Sequence, residues 1–272
     1  MRVHSWAMQA TTLVLPSLVI LAAYARRSLD VSGAVAGWFV GATCSMAGGK
    51  FSTTLIAFFV TSSLLTKMGA KSKKAIDADY KDGGQRNWVQ VLSNGLGGTI
   101  ACLCIVASRN YPDNFRSIRD PEVMFEVAFL SHFACCCGDT WASETGTAFS
   151  GPLSESFLLT SLRRVPRGTN GGISVIGTLA SLLGGCFVGL VFALCGSSLT
   201  LPSTIIVGAA AGLGGSLLDS LLGATLQYSG ISNSPGPGVK HVSGSDVLDN
   251  HQVNLVSSLV TSMTAAALVH LL

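Results

Sequence analysis

The chain has 272 residues, of which 49% are hydrophobic and 11% charged, with 17 Lys and Arg against 14 Asp and Glu for a net charge of +3. Soluble domains carry roughly 25% charged residues and the mean hydropathy here is +0.52, which excludes a disordered tail, a disulfide-rich secreted module and a water-soluble globule. No basic tract with interleaved aromatics is present, so no nucleic-acid partner is expected.

The composition predicts an all-α polytopic transmembrane helical bundle, one integral membrane domain over residues 1–272. At roughly 20 residues per span, eight apolar segments are predicted at about 6–25, 32–49, 51–68, 88–107, 122–138, 172–195, 201–228 and 252–272, or seven to eight spans. Arg2 and His4 precede the first run, and Ala23-Tyr24-Ala25 has the form of a signal-peptidase site. Arg26 and Arg27 follow at once and resist translocation, so a retained first helix is expected.

On alternating sides of this topology, Arg26, Arg27, Lys67, Lys71, Lys73, Lys74, Lys81, Arg86, Arg163, Arg164, Arg167 and Lys240 share one face. Arg2, Lys50, Arg109, Arg116 and Arg119 share the other. The richer face is expected to be cytosolic, and most acids fall on the same side. Small residues recur every fourth position in Gly33-Gly37-Gly41, in Gly177-Ser181-Gly185-Gly189 and in Gly208-Gly212-Ser216-Ser220. Close helix packing accounts for these stripes. The cysteines read as small packing residues.

Four constellations carry chemistry. Gly138-Asp139-Thr140-Trp141-Ala142-Ser143-Glu144-Thr145-Gly146 ends the fifth segment. In a continuous helix Glu144 lies about 140° from Asp139; in a broken one both carboxylates meet one cation. Acids at membrane depth point to function. Arg163-Arg164-Val165-Pro166-Arg167-Gly168-Thr169-Asn170-Gly171-Gly172 sets three guanidiniums before a glycine turn expected to open a helix, where phosphates bind. It lacks the Lys and Ser/Thr ending of a Walker A loop. Asp219 stands on a face of small residues in the seventh segment, suited to Mg2+ with a phosphate. Asp246, Asp249, Asn250 and Asn254 enter the last helix as a polar stripe, read either as caps or as function. The loop acids Asp77, Asp79 and Asp82 read as a solvated face, and Asn94 is read as lying near the start of the fourth helix.

The strings Asp79-Tyr-Lys-Asp-Gly-Gly-Gln-Arg-Asn-Trp-Val-Gln-Val, Gly138-Asp-Thr-Trp-Ala-Ser-Glu, Gly168-Thr-Asn-Gly-Gly, Asp219-Ser-Leu-Leu-Gly-Ala-Thr-Leu-Gln-Tyr and Leu248-Asp-Asn with Val253-Asn-Leu closely resemble the transmembrane protein 19 family, from about residue 28 to the C-terminus. Its plant members include a phytyl-phosphate kinase. A more distant likeness joins polyprenol and phytol kinases and CDP-diacylglycerol synthases, whose Gly-Asp-x-x-Ala-Ser motif and following basic, glycine-containing motif align with Gly138–Gly146 and Arg164–Gly171. Glu144 in the first motif and the missing Lys-Lys or Lys-Ser element in the second leave the nucleotide open.

The resemblance implies an isoprenoid-phosphate kinase, a transferase that passes a phosphoryl group from CTP or another NTP to a prenyl or phytyl monophosphate, with an isoprenoid alcohol as the other candidate acceptor. Asp139, Glu144 and Asp219 are the expected catalytic carboxylates. With Asp246 and Asp249 they are the expected Mg2+ ligands. Arg163, Arg164, Arg167, Gly168, Thr169, Asn170, Gly171, Gly172 and Asn94 are the expected nucleotide contacts. The prenyl tail is expected between the glycine-striped helices of an endomembrane protein. A non-enzymatic transporter or binder of phosphorylated lipids uses the same anion site, and the residues leave both readings open.

Overall fold

The computed structural model describes residues 3–74, 85–149, 151–232 and 239–269. Eight helices are described: α1 (Val3–Ala25), α2 (Val31–Ala47), α3 (Gly49–Lys74), α4 (Trp88–Asn110), α5 (Pro121–Ala148), α6 (Val175–Leu194), α7 (Leu201–Leu226) and α8 (Asn250–Ala267). Five of them, α2, α4, α6, α7 and α8, start on a residue whose side chain satisfies an orphan N–H group. Asp30 accepts from the Gly33 amide at 2.7 Å. Asn87 with Gln90 and Asp249 with Gln252 form reciprocal capping boxes. Ser174 caps α6 and Thr200 caps α7.

Two small sheets cover one end of the bundle. The strand β1 (Ser156–Leu158) pairs antiparallel with both β2 (Arg164–Val165) and β3 (Gly172–Ile173). The hairpin β4 (Ser229–Ser232) with β5 (Val239–Ser243) follows α7. Both lie in the face expected to be cytosolic.

Helix α5 is the hub, packed against α3, α4, α6, α7 and α8. Every residue from Glu126 to Gly138 is buried. Its rings Phe129 and Phe133 are fully buried, 4.8 Å apart, and Phe129 meets Phe51 of α3 edge-on at 4.9 Å. The other helices turn large apolar side chains outward: Leu18 and Leu21 on α1, Phe39 on α2, Leu103 on α4, Leu183 on α6, Ile206 on α7 and Met263 on α8 are all exposed. That is an inside-out surface suited to lipid.

The stripes of small residues on α6 and α7 meet backbone to backbone. A methyl on Gly212 would lie 2.6 Å from the Gly185 Cα, and one on Gly184 would lie 3.1 Å from the Gly138 Cα. The expected prenyl tail has no room there, because these stripes are filled by each other.

Four helices are long and apolar enough to cross a membrane among the described residues: Gly49–Met68, Trp88–Asn110, Val175–Leu194 and Leu201–Leu226. The apolar parts of α1 and α2 are shorter, at Leu13–Ala25 and Val31–Ala47. By length and apolarity alone, four candidate spans stand out among the described residues, fewer than the seven to eight expected from the sequence. The sequence boundary of the fifth segment also moves: α5 continues without a break to Ala148, through the whole Asp139–Gly146 motif.

Candidate functional site

An unbroken α5 separates the two carboxylates of the motif. Asp139 faces α7, where the Ser216 hydroxyl donates to its Oδ1 at 3.3 Å. There it comes within electrostatic reach of Asp219, and Cys135 lies close to both. The Ser257 hydroxyl of α8 donates to Asp219 Oδ2 at 2.9 Å. With its amide turned to donate, Asn254 reaches the same oxygen at 3.3 Å and the Asn250 carbonyl at 3.0 Å. Both Asp side chains are half-buried. Two helices thus bring two carboxylates into one notch, with hydroxyls and an amide beside them.

Glu144 turns the other way. It is buried, and it accepts from the Thr66 hydroxyl of α3 at 2.8 Å. Its charge supports Arg86, whose guanidinium is held below its ordinary pKa chiefly by burial. Glu144 therefore stands apart from the Asp139–Asp219 notch, on a second polar site.

Arg86 is placed by backbone. It donates to the Ser28 carbonyl at 3.1 Å and accepts from the Asp30 amide at 3.0 Å. Gly33 lies so close to the Arg86 carbonyl that any Cβ would overlap it. The guanidinium donates to Ser63 Oγ at 2.8 Å and lies 5.6 Å from the Phe59 ring centre. Below it a largely apolar cleft runs among α1, α2, α3 and α4, past Leu29, Val40 and Phe58 to Pro16, with Gln90 at the polar end, Asn94 one turn further along α4, and Thr140 of α5 also in its wall. Asn94 of the expected nucleotide set is thus in this cleft wall. Gly37 and Gly41 of the first stripe line the cleft as well.

The basic loop is not a single clamp. Arg163 donates to the Val242 carbonyl, Arg164 pairs with Glu155 at 2.7 Å, and Arg167 donates to the Phe149 carbonyl at 2.6 Å. In the glycine turn, Thr169 N donates to Pro166 O, Asn170 N to Ser229 Oγ and Gly172 N to Thr169 O. Asn170 Nδ2 donates to Tyr228 O. Gly168 and Gly171 take positive φ, +84° and +74°, as tight turns require. The turn runs into β3 (Gly172–Ile173), and Ser174 then caps α6, so it does not open the helix as expected. Arg164 and Arg167 do share a shallow surface groove with Glu155.

Asp249 is exposed and caps α8, accepting from Gln252 N at 2.8 Å. Asp246 is exposed in the preceding turn, outside the helix, so it does not continue the Asn250–Asn254 face. Asp77, Asp79 and Asp82 lie outside the described residues. Among the described residues, no three His, Cys, Asp or Glu side chains cluster to hold a metal. Two carboxylates with phosphate oxygens do suffice for Mg2+, and the Asp139–Asp219 pair supplies that donor type.

One buried charge pair escaped the sequence reading. Lys50 at the start of α3 bonds Glu126, which also accepts from Ser198 N and Ser198 Oγ, each at 3.0 Å. Its signal is weak: one Lys and one of two Glu near the starts of two segments, 76 positions apart. It lies at the end of the bundle opposite Asp139, so buried charge is not confined to one face. The fully buried Phe129 and Phe133 rings stand between the two ends of α5.

The family description "Integral membrane protein DUF92" matches residues 14–262. The chain belongs to this family of integral membrane proteins. It is 40% identical over 277 residues to Protein PGR of Arabidopsis thaliana, covering 95% of each chain. It is 33% identical over 214 residues to an uncharacterized membrane protein of Synechocystis, covering 77% of each. It is 30% identical over 200 residues to the Arabidopsis Protein VTE6, chloroplastic, covering 73% of this chain and 56% of that one. No solved structure matches. The motif-based kinship with plant members is thereby shown, and the DUF92 chain is a multi-pass integral membrane protein.

Proposed function

We propose that the protein is an endomembrane phosphotransferase that extends an isoprenoid monophosphate to a diphosphate. The observation that carries this reading is the convergence of Asp139 and Asp219 from α5 and α7, at the end of the bundle that also holds Arg86 and the basic loop. All eight helices traverse the bilayer in this proposal, with the polar face of α5 shielded by its neighbours.

The attacking group is a phosphate oxygen, ionised at neutral pH, so no strong base is required. It forms a bond to the terminal phosphorus of CTP or another NTP, and the bond to the nucleoside diphosphate oxygen breaks. Magnesium bound with the two phosphates would neutralise the charge that develops there. Asp139 and Asp219 would hold it, with Ser216, Ser257 and Asn254 fixing their orientation. The donor phosphates lie towards the groove of Arg164 and Arg167. Most of the catalysis is then positioning and charge neutralisation.

The rival reading is a transporter or binder of phosphorylated lipids. The Phe129–Phe133 plug favours transfer over transport, because it interrupts a polar path along α5. The deciding experiment supplies the purified, detergent-solubilised protein with Mg2+, labelled CTP or ATP, and a panel of prenyl alcohols and monophosphates. Diphosphate product that is lost in Asp139→Asn supports the kinase. Product from an alcohol moves the enzyme one step earlier. Prenyl phosphate binding without product removes the kinase reading and leaves the binder.

A further inference from the structure

We propose that the cleft among α1, α2, α3 and α4 is the binding site for a single-chain lipid monophosphate, with Arg86 holding the phosphate and the tail running down to Pro16. This rests on the phosphoryl-acceptor reading above and deepens it, since neither the motifs nor the family assigns the cleft or Arg86.

Three observations converge. The cleft is amphiphilic: Val40, Leu55 and Phe58 wall its body, while Arg86 and Gln90 stand at one end and Asn94 one turn further along α4. From Ser52 to Ser62 it follows ten residues of α3, about 15 Å at ~1.5 Å per residue. That is the reach of one short chain lying along the helix. Third, the guanidinium at the polar end makes one side-chain hydrogen bond among the described residues, to Ser63. A guanidinium carries five N–H donors in a fork suited to phosphate. Among the described residues Glu144 is the acid facing Arg86, and its hydroxyl partner Thr66 gives that carboxylate a neutral donor when the phosphate takes the guanidinium. Thr140 lines the same cleft one position after Asp139, so the phosphate end abuts the α5 turn that carries the carboxylate notch.

The lipid class is set by a single apolar chain and a phosphate; branched prenyl and straight alkyl chains both satisfy it. The test uses the full chain in nanodiscs and farnesyl monophosphate with a photoreactive diazirine at the tail end. The crosslinks are expected on α1, α2 and α3 peptides, a readout that needs no variant. A straight alkyl phosphate of equal length, run in parallel, competes equally if shape is not read and weakly if the branched chain is preferred; either outcome keeps the site. Val19→Trp, which fills the cleft from peripheral α1, is expected to weaken farnesyl monophosphate binding at least tenfold. Arg86→Gln is expected to weaken it about tenfold while leaving farnesol binding within twofold.

Crosslinks on α6 to α8, with full affinity in Val19→Trp, would overturn the cleft and leave the kinase reading standing. Crosslinks on α1 to α3 without phosphoryl transfer would remove the kinase reading and leave the cleft. Folded protein that binds no prenyl or alkyl phosphate would overturn both.

Discussion

Lys50 and Glu126 close a buried ion pair that ties the start of α3 to the first turns of α5, and through Ser198 to the loop between α6 and α7. Glu126 is 1% exposed. Removing one partner strands a charge, which typically costs about 3–5 kcal/mol. Glu126→Gln and Lys50→Met should each lower the thermal unfolding midpoint in detergent steeply. The double variant Lys50→Met/Glu126→Leu should recover much of the loss, since neither charge is then left alone. Equal losses in single and double variants would contradict the pairing.

The α6–α7 contact makes a second stability prediction. Gly212→Val drives a side chain into the Gly185 backbone and the Ser181 carbonyl, and overpacking of this kind costs about 1–3 kcal/mol. Gly214 lies two residues on, with nothing within 4 Å of where its Cβ would be. Gly214→Ala should stabilise by about 0.5–1 kcal/mol. Opposite shifts in the midpoint are the expected signature, and a shared direction would mean that the packing face is wrongly assigned.

For the carboxylate notch, Asp139→Asn and Asp219→Asn should each reduce phosphoryl transfer at least about 100-fold, the scale for losing one group that stabilises transition-state charge. Chelation of Mg2+ should abolish the same activity, and added Mg2+ should restore it. Both variants should elute and unfold like the parent, because each loses a charge but keeps a polar group for Ser216 or Ser257 to bond. Full activity in either would remove that residue from the site.

Asp249 separates two roles that a bare sequence leaves together. As the cap of α8 its carboxylate serves Gln252 N, and Ser fills that position as well as Asp does. Asp249→Ser should therefore keep the unfolding midpoint, while Asp249→Ala should lose about 1 kcal/mol. If the carboxylate is instead a metal ligand, both variants lose transfer activity and the Ser variant shows it without a stability change.

The helical segments were legible because apolar runs bounded by polar residues have little other outcome in lipid. The capped starts at Asn87, Ser174 and Asp249 mark their ends. Asp139 and Asp219 were legible as polar residues inside such runs. What spacing does not reveal is which neighbour a helix face meets. Glu144 is five positions from Asp139, yet the unbroken turn of α5 sends it to Thr66 and Arg86. Arg86 reads as a positive-inside residue within the Asp79–Val91 string, with no role of its own, until its backbone is seen locked between Ser28 and Asp30. The basic loop misleads for the opposite reason: its glycine turn has the composition of an anion cradle, but Ser229 and the carbonyls of Pro166 and Thr169 already take its amides.

Helix α5 also constrains how the protein is made. It carries Glu126, His132, Asp139 and Glu144, and it is not among the helices apolar enough to cross a membrane by themselves. Two of the helices that bury it, α6 and α7, emerge from the ribosome after it. During synthesis α5 must therefore wait in a polar refuge, at the insertion machinery or against α3 and α4, until the α6–α7 hairpin arrives. A ribosome stalled before residue 201 would leave its polar face open to lipid, and quality-control proteases would meet that chain first.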